Sequence, residues 1–487
     1  MASSPIIAWP IEADDALPLA LWDSASIAAA VGGVASCDFE VSGVEIDSRD
    51  VIEGDLFFAL KGDAMDGHRF LDGAFAKGAA AAVVDRPIDQ PHILVEDTSR
   101  ALELLGKASR DRALGRIVGV TGSVGKTGVK EALFAALDRS SSGGAHRSVK
   151  SYNNHVGVPL SLARMPAQSR YAIFEMGMNH AGEIAALAAQ VRPNVAVITT
   201  IAPAHIENLG SEEAIALAKA EIFGGLEPGG IAIIPADSPH YELLKHEAER
   251  QAAKVVSFGR AAHADVRLLD AVTAPGGGSL VTAELRDAVR GDRRVCYTIA
   301  SPGEHWVINS LAVMAAVRAV GGDLGAAGLA LAEMEGLAGR GARTEIPARD
   351  GTALLIDESY NANPTSMRAT LTQLGHTRAT RRIAILGAMK ELGDFAPGLH
   401  AALAEPIAAA GVDYAILVGD EMSALAEELG KSCGTKLGKA VAFAHCRTPA
   451  EAQTALAVFG VESGDAILVK GSNSVGLGSL VAALTGK

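Results

Sequence analysis

Cysteine is scarce in this chain: Cys37, Cys296, Cys433 and Cys446 are the only four in 487 residues, and none stands at metal-ligand spacing from another. They read as buried or free thiols in a reducing compartment. Net positive charge is also missing. A formal charge of -14 excludes a nucleic-acid or anionic-membrane partner as an expectation, since either needs a basic face. No apolar run approaches membrane-spanning length, so no membrane insertion is expected. The first residues carry Glu12, Asp14 and Asp15 in place of a basic n-region, which makes a poor signal peptide and points to the cytoplasm. Internal repeats and low-complexity linkers are absent as well.

What is present describes a compact α/β protein. Hydrophobic residues make up 49% and charged residues 21%, with 53 glycines spread among alternating apolar runs and alanine-rich helices. The length exceeds what one hydrophobic core usually covers, so two or three domains are expected.

The most informative stretch runs from Arg116 to Lys130. Ile117 to Val120 are β-formers, Thr121-Gly-Ser-Val-Gly-Lys-Thr127 is a glycine turn, and good helix formers follow from Val129. Strand, glycine turn and helix are the context of a phosphate loop. Gly122, Ser123, Val124 and Gly125 would turn successive N–H groups toward a polyphosphate at the positive end of the helix. Lys126 would reach the terminal phosphates, and Thr127 a Mg²⁺. One spacing differs: the consensus first glycine is Val120 here, with Gly119 beside it. The plain alternative is an ordinary glycine-rich turn between strand and helix.

Around this loop the chain divides into three expected domains. Residues 1–114 alternate short strands (41–49, 54–60 and 79–84) and end in a helix over 99–113, with the turn Asp66-Gly-His68 opening a shorter one. Residues 115–346 carry strand-like runs at 171–174, 195–200, 231–234 and 255–258, separated by helical patterns, which argues a mostly parallel sheet. Gly276 to Gly278 mark a β-rich insertion, and helices over 307–320 and 324–334 close this domain. Residues 347–487 read as a small doubly wound, Rossmann-like domain with strands at 353–356, 383–386, 414–418, 441–443 and 466–469. Two polar loops follow its strands, Asp357-Glu-Ser-Tyr-Asn-Ala-Asn-Pro364 and Lys470-Gly-Ser-Asn-Ser474.

Three single residues draw chemistry or a plainer reading. Glu175 ends a strand near the phosphate loop, where a Mg²⁺ ligand belongs; a solvated strand-end acid is the alternative. His205 lies just past the 195–200 strand, as a ligand or a structural histidine. Lys219 sits in an otherwise apolar or small helical stretch, and periodicity alone reads it as a surface lysine that snorkels to water.

Taken together, Thr121–Thr127, Tyr152-Asn-Asn-His-Val-Gly-Val-Pro159, Glu175-Met-Gly-Met178, His205-Ile-Glu-Asn-Leu-Gly210, Ala218-Lys-Ala-Glu-Ile222, Gly303-Glu-His305 with Asn309, Gly339-Arg340 and the Asp357–Pro364 loop occur in the order found in Mur ligases. The chain resembles that family over nearly its whole length. The resemblance implies a monomeric cytoplasmic enzyme that forms an amide bond with ATP. The Asn-Ala-Asn-Pro loop, Glu-Met-Gly-Met and the upstream Asp47-Ser-Arg49 are similar to the branch that takes UDP-MurNAc-tripeptide and D-Ala-D-Ala.

By the same resemblance Ser48, Arg49, Asp66, Gly67, His68, Asn153 and Asn154 would meet the UDP-substrate. Asn309, Arg340, Asp357, Tyr360 and Asn361 would join the phosphate loop in holding ATP. Two Mg²⁺ ions would draw on Thr127, Glu175, His205 and Lys219, the last carbamylated by CO₂. Lys126, Lys219 and His205 would be the catalytic set. An ammonium repels Mg²⁺, whereas a carbamate offers it anionic oxygen. Three segments depart from the family: Trp306 replaces an Asn, Ala388 and Lys390 alter the 386–394 loop, and Asn473 replaces an Arg. The rival readings are an amide ligase of the same superfamily with another substrate, and a P-loop ATPase switch.

Overall fold

Three sheets of five or more strands organise the chain among the described residues of the computed structural model, which are 20–62, 65–204, 206–274, 278–289, 291–334, 336–431 and 441–486. His205, Cys433, Gly276 and the acidic residues Glu12, Asp14 and Asp15 lie outside them. No helix among the described residues is long and apolar enough to cross a membrane. The residues group into two compact units, one running to Arg112 together with Leu162–Ala167, the other holding Ala113–Ser161 and Gln168 onward.

The first unit carries a five-stranded sheet in the order Val34–Ala35, His92–Leu94, Ala81–Val84, Asp55–Phe58 and Gly43–Glu45. Its centre is apolar on both faces: Leu56, Phe57 and Phe58 are at most 1% exposed, and Ala81 to Val84 fully buried. Such continuous runs suit parallel strands covered on both sides. The strands within 41–49 and 54–60 form, but shorter than expected and paired in parallel. The late segment Leu162–Ala167 is bonded into this unit. Trp22 Nε1 donates to Ala163 O at 2.9 Å, Arg164 Nε donates to Val44 O at 2.6 Å, and the Arg164 guanidinium pairs with Glu45. Arg112 lies 3.4 Å above the Trp22 ring, a cation–π contact that ties the end of the Thr98–Arg112 helix to the start of the unit.

The second unit contains a nine-stranded and a six-stranded sheet. The larger runs Arg293–Ile299, Ser279–Leu285, Val266–Thr273, Lys254–Gly259, Ile231–Pro235, Val195–Ile198, Arg116–Thr121, Tyr171–Glu175 and Ala145–Arg147. It is parallel except for the pairings of its three edge strands with one another, the β-rich insertion expected around Gly278. Val118 and Val120 are fully buried beneath Val129, Leu133, Ala136 and Leu137 of the Lys126–Ser141 helix. Each such side chain stabilises the fold by about 1.5–3 kcal/mol. Val120, where the consensus has glycine, is therefore a core residue of the strand. The Glu304–Ala319 helix is buried nearly all round, through Val307, Leu311, Val313, Met314 and Val317. It is a central rather than a surface helix.

The smaller sheet runs Ala342–Ala348, Gly351–Glu358, Ala466–Lys470, Arg382–Gly387, Tyr414–Val418 and Ala442–Cys446. Only its first pair is antiparallel. Asn363 caps the Pro364–His376 helix by accepting from Ser366 N at 2.9 Å, and Pro364 occupies the first turn, where its missing N–H costs nothing. This abrupt start sets the Asp357–Pro364 loop at the carboxyl end of the Gly351–Glu358 strand.

Candidate functional site

The phosphate loop is shaped by two glycines in the left-handed region of φ. Gly122 has φ 148° and Gly125 φ 89°. A Cβ on Gly122 would collide with the Thr199 hydroxyl, and one on Gly125 would stand 2.8 Å from the Asn309 amide. Both close approaches need hydrogen as the side chain. Thr199 Oγ1 donates to Val124 O at 2.6 Å, and Ser123 Oγ to Ala202 O at 2.9 Å. The loop is thus pinned to the strand end that leads toward residue 205.

Lys126 begins the helix, and its Nζ folds back to donate to Gly122 O at 2.8 Å. Desolvation pulls its pKa below the usual lysine range, with Glu175 opposing the shift and Arg340 adding to it. Thr127 Oγ1 donates to Glu175 Oε2 at 2.8 Å. Asn153 Nδ2 donates to Glu175 Oε1 at 2.8 Å. Both oxygens of a carboxylate 1% exposed are therefore held, which rules out the solvated strand-end acid. Hydroxyl and carboxylate are hard oxygen donors of the kind Mg²⁺ takes together with phosphate oxygens and water. Among the described residues no group of three or more His, Cys, Asp or Glu gathers to hold a metal by itself.

Lys219 is 2% exposed and lines the same cavity, so the snorkelling reading of its helix pattern fails. Burial pushes its pKa well below that of a free lysine, and the charge of Lys126 adds to this. Its ammonium does not fit a cation site. Its neutral amine, which the environment favours, does fit reaction with CO₂.

The cavity measures about 360 Å³ and brings both sheets of the second unit together. From the larger sheet and its loops come Ser123, Val124, Gly125, Lys126, Asn153, Asn154, Glu175, Lys219 and Asn309. The smaller sheet adds Tyr360, Asn361 and Lys470, and Arg340 comes from the connection between the sheets. Arg340 lies 4.3 Å over the Tyr360 ring and donates to Ser151 Oγ at 3.1 Å. Asp357 is buried behind the lining, where Oδ2 accepts from Gly339 N at 2.7 Å and Oδ1 from Ser359 Oγ at 2.6 Å. It shapes the loop from beneath.

Comparison with known proteins follows this geometry. The sequence pattern of the Mur ligase middle domain matches residues 120–317, that of the Mur ligase glutamate ligase domain residues 342–473, and that of the Mur ligase family catalytic domain residues 40–110. A UDP-N-acetylmuramoyl-tripeptide–D-alanyl-D-alanine ligase from Synechocystis is 34% identical over 457 residues, covering 92% of each chain. Its counterpart from Escherichia coli is 35% identical over 402 residues, 82% of this chain and 86% of that one. The chain belongs to the Mur ligase family. A crystal structure of MurF from Acinetobacter baumannii aligns with TM-score 0.80 at 30% identity, over 96% of this chain and 99% of that one. MurF from Thermotoga maritima in complex with ADP aligns with TM-score 0.71 at 26% identity, over 92% and 97%. The three-domain α/β fold expected of a Mur ligase is thus present.

Several placements in this Mur ligase were not foreseen. Asn153 and Asn154, expected at the UDP-substrate, line the phosphate-loop cavity, whereas Ser48, Arg49, Asp66, Gly67 and His68 lie in the first compact unit. There the buried His68 ring stands 2.6 Å from Asp66 Oδ1 and 3.0 Å from Asp85 Oδ1. Arg86 holds the Asp66 carboxyl well below the usual range, with His68 adding to it. His305, Trp306, Glu358 and Lys470 line the cavity without having been singled out as site residues. Lys470 Nζ donates to Asn361 O at 2.8 Å and lies 3.4 Å from Glu358 Oε2. Its place in the polar loop after a strand was the available signal. Trp306 packs its ring so near the phosphate-loop helix that a Cβ on Gly128 would lie 2.9 Å from it. Lys390, another departure, is ion-paired with Glu421.

Proposed function

We propose that this Mur ligase joins D-Ala-D-Ala to the terminal carboxylate of UDP-MurNAc-tripeptide with hydrolysis of ATP to ADP and phosphate. The observation that carries the reading is the 34–35% identity, over 82–92% of this chain, to ligases of that specificity. A carboxylate resists attack by an amine until one oxygen becomes a leaving group. Its oxygen first attacks the γ-phosphorus of ATP, giving an acyl phosphate and ADP. The dipeptide amine then attacks the acyl carbon, and the tetrahedral intermediate expels phosphate as the nitrogen loses its proton. The enzyme's part is positioning and charge neutralisation.

In this reading Gly122 to Thr127 hold the phosphates, and Lys126 offsets charge on the transferred group. Asn309, Arg340, Tyr360 and Asn361 hold the nucleotide, over the loop that Asp357 shapes. Ser48, Arg49, Asp66, Gly67, His68, Asn153 and Asn154 meet the UDP-substrate. Thr127 and Glu175 would hold one Mg²⁺, and His205 with carbamylated Lys219 a second; the ions would neutralise phosphate charge. The carbamate forms as the amine nitrogen bonds the carbon of CO₂ and releases a proton. The domains are taken as 1–114, 115–346 and 347–487, in a monomeric cytoplasmic enzyme.

The test is phosphate release from ATP with UDP-MurNAc-tripeptide, with and without D-Ala-D-Ala. Release that requires all three substrates, with the pentapeptide product found by mass spectrometry, is expected. Slow hydrolysis indifferent to the dipeptide would instead identify an ATPase switch.

A further inference from the structure

A second and larger cavity, about 690 Å³, lies in the same compact unit as the phosphate loop and shares none of its lining residues. Its charged lining is Arg260, Arg343, Arg378, His376 and Glu304. On a body of charge -14, three guanidiniums against one carboxylate are a concentrated positive field. Glu304 is already engaged, accepting from Arg260 at 2.7 Å. Arg343 Nε is buried with no hydrogen-bond partner among the described residues. Guanidinium forks match phosphate oxygens two at a time, and three of them offer more donors than one phosphate group can take. The first turn of the Glu304–Ala319 helix also borders it, and the positive end of that dipole has no side-chain cap.

The position suggests what an occupant would do, because two helices line both cavities and a strand that lines the second follows two residues after Arg340 of the first. The Glu304–Ala319 helix gives Glu304 and Val307 to the second cavity and Trp306 and Asn309 to the first. The Pro364–His376 helix begins beside the first cavity, at Asn363 and Ser366, and ends in the second at Gln373 and His376. Arg343 stands in the Ala342–Ala348 strand, three residues beyond Arg340 of the nucleotide cavity. A ligand gripping Arg260, Arg343 and Arg378 would therefore bias the same elements that carry the nucleotide contacts.

We propose that this cavity is a separate binding site for a small metabolite carrying two phosphate groups, coupled to the nucleotide site through the two helices that line both. The site stands on the cavity and its charges and not on the ligase reading; the coupling rests on that reading.

The test uses the full chain saturated with ADP in EDTA buffer, so that the phosphate loop is filled, and inorganic pyrophosphate as the probe in calorimetry. One further equivalent of pyrophosphate is expected to bind. It should be lost in the double variant Arg343→Gln/Arg378→Gln, with ADP still bound and the melting temperature unchanged. Saturating pyrophosphate should shift the ADP dissociation constant about fivefold or more. Arg378→Gln alone removes an exposed cation beyond a helix end, so it keeps the fold and should weaken pyrophosphate about fivefold. No further equivalent, or one undiminished in both variants, overturns the site. An ADP affinity indifferent to pyrophosphate overturns the coupling. Failure of ADP itself to bind would count against the ligase reading and not against this cavity.

Discussion

Lys130 and Lys219 are both lysines buried in helices of the same compact unit, and their surroundings could hardly differ more. Lys130 is fully enclosed and fully engaged. Its Nζ donates to Ser148 O at 2.9 Å and Lys150 O at 2.7 Å and lies 2.9 Å from Glu131 Oε1. These bonds fasten the phosphate-loop helix to the segment that presents Asn153 to Glu175. Lys219 has no such set among the described residues; the charge that acts on it is that of Lys126, of like sign. A buried charge persists where donors and acceptors are matched and is driven toward neutrality where they are not. The first arrangement builds a scaffold, and the second favours the neutral amine.

The contrast is broken most severely at Lys219. Lys219→Met is expected to lose turnover by at least about a hundredfold, since it removes a ligand proposed to hold a Mg²⁺ that offsets charge on the transferred phosphate, a loss of about 2–4 kcal/mol. Yet its melting temperature should match or exceed that of the wild type, because an apolar chain of similar length replaces a desolvated amine. The stability difference carries a sign. With the folded pKa of Lys219 lowered, the unfolded chain binds more protons between the two pKa values, so wild-type stability rises with pH across that window. In CO₂-depleted buffer the advantage of Lys219→Met should shrink as pH increases, measured by thermal unfolding. Lys219→Ala should regain part of its activity with an added short carboxylic acid. Near-normal phosphate release by Lys219→Ala without CO₂ would defeat the carbamate.

Lys126→Ala sharpens the comparison from the other side. Turnover should fall by about 2–4 kcal/mol in transition-state terms while the fold is kept, and more than a tenth of wild-type activity would contradict the role. Removing this like charge should also raise the pKa of Lys219. Carbamate content, followed by ¹³C NMR with labelled bicarbonate, should then need a higher pH to reach the same level.

Lys130→Met should do the reverse of Lys219→Met. One buried and one part-buried carbonyl and a carboxylate lose their donor, at an expected cost of about 2–4 kcal/mol in denaturant unfolding, with residual activity in whatever remains folded. An unchanged unfolding midpoint would remove the scaffold role. The smallest effect is expected at Trp306, whose ring lines the cavity wall without a charge in play. Trp306→Asn should change KM for ATP by about tenfold or less, with kcat nearly unaffected, in steady-state assays.

Most of the strands and helices were legible because the signal is local. Short continuous apolar runs mark the Tyr171–Glu175, Val195–Ile198 and Ala466–Lys470 strands, and apolar residues at a period near 3.6 mark helices between them. Short polar strands such as Ala145–Arg147, flanked by Ser and Gly, carry no such period and went unmarked. Among the candidate site residues, Lys126 and Thr127 were readable from a loop whose glycines serve a geometric need, and Glu175 from its place at a strand end. Lys219 was misread by periodicity, since a helix pattern says which face is apolar but not what lies against it.

The sequence by itself determined the α/β class, the phosphate loop and the family, because backbone geometry and hydrophobic periodicity are written over a few consecutive residues. Tertiary structure alone decided that Leu162–Ala167 joins the first unit, that Asn153 and Thr127 clasp one carboxylate, and that Lys470 and Tyr360 share a cavity with Lys126. It also decided which buried lysine is bonded and which is desolvated. The physical reason is that a contact, and the pKa that follows from it, depends on groups far apart along the chain, whose distances are set only once the sheets have packed.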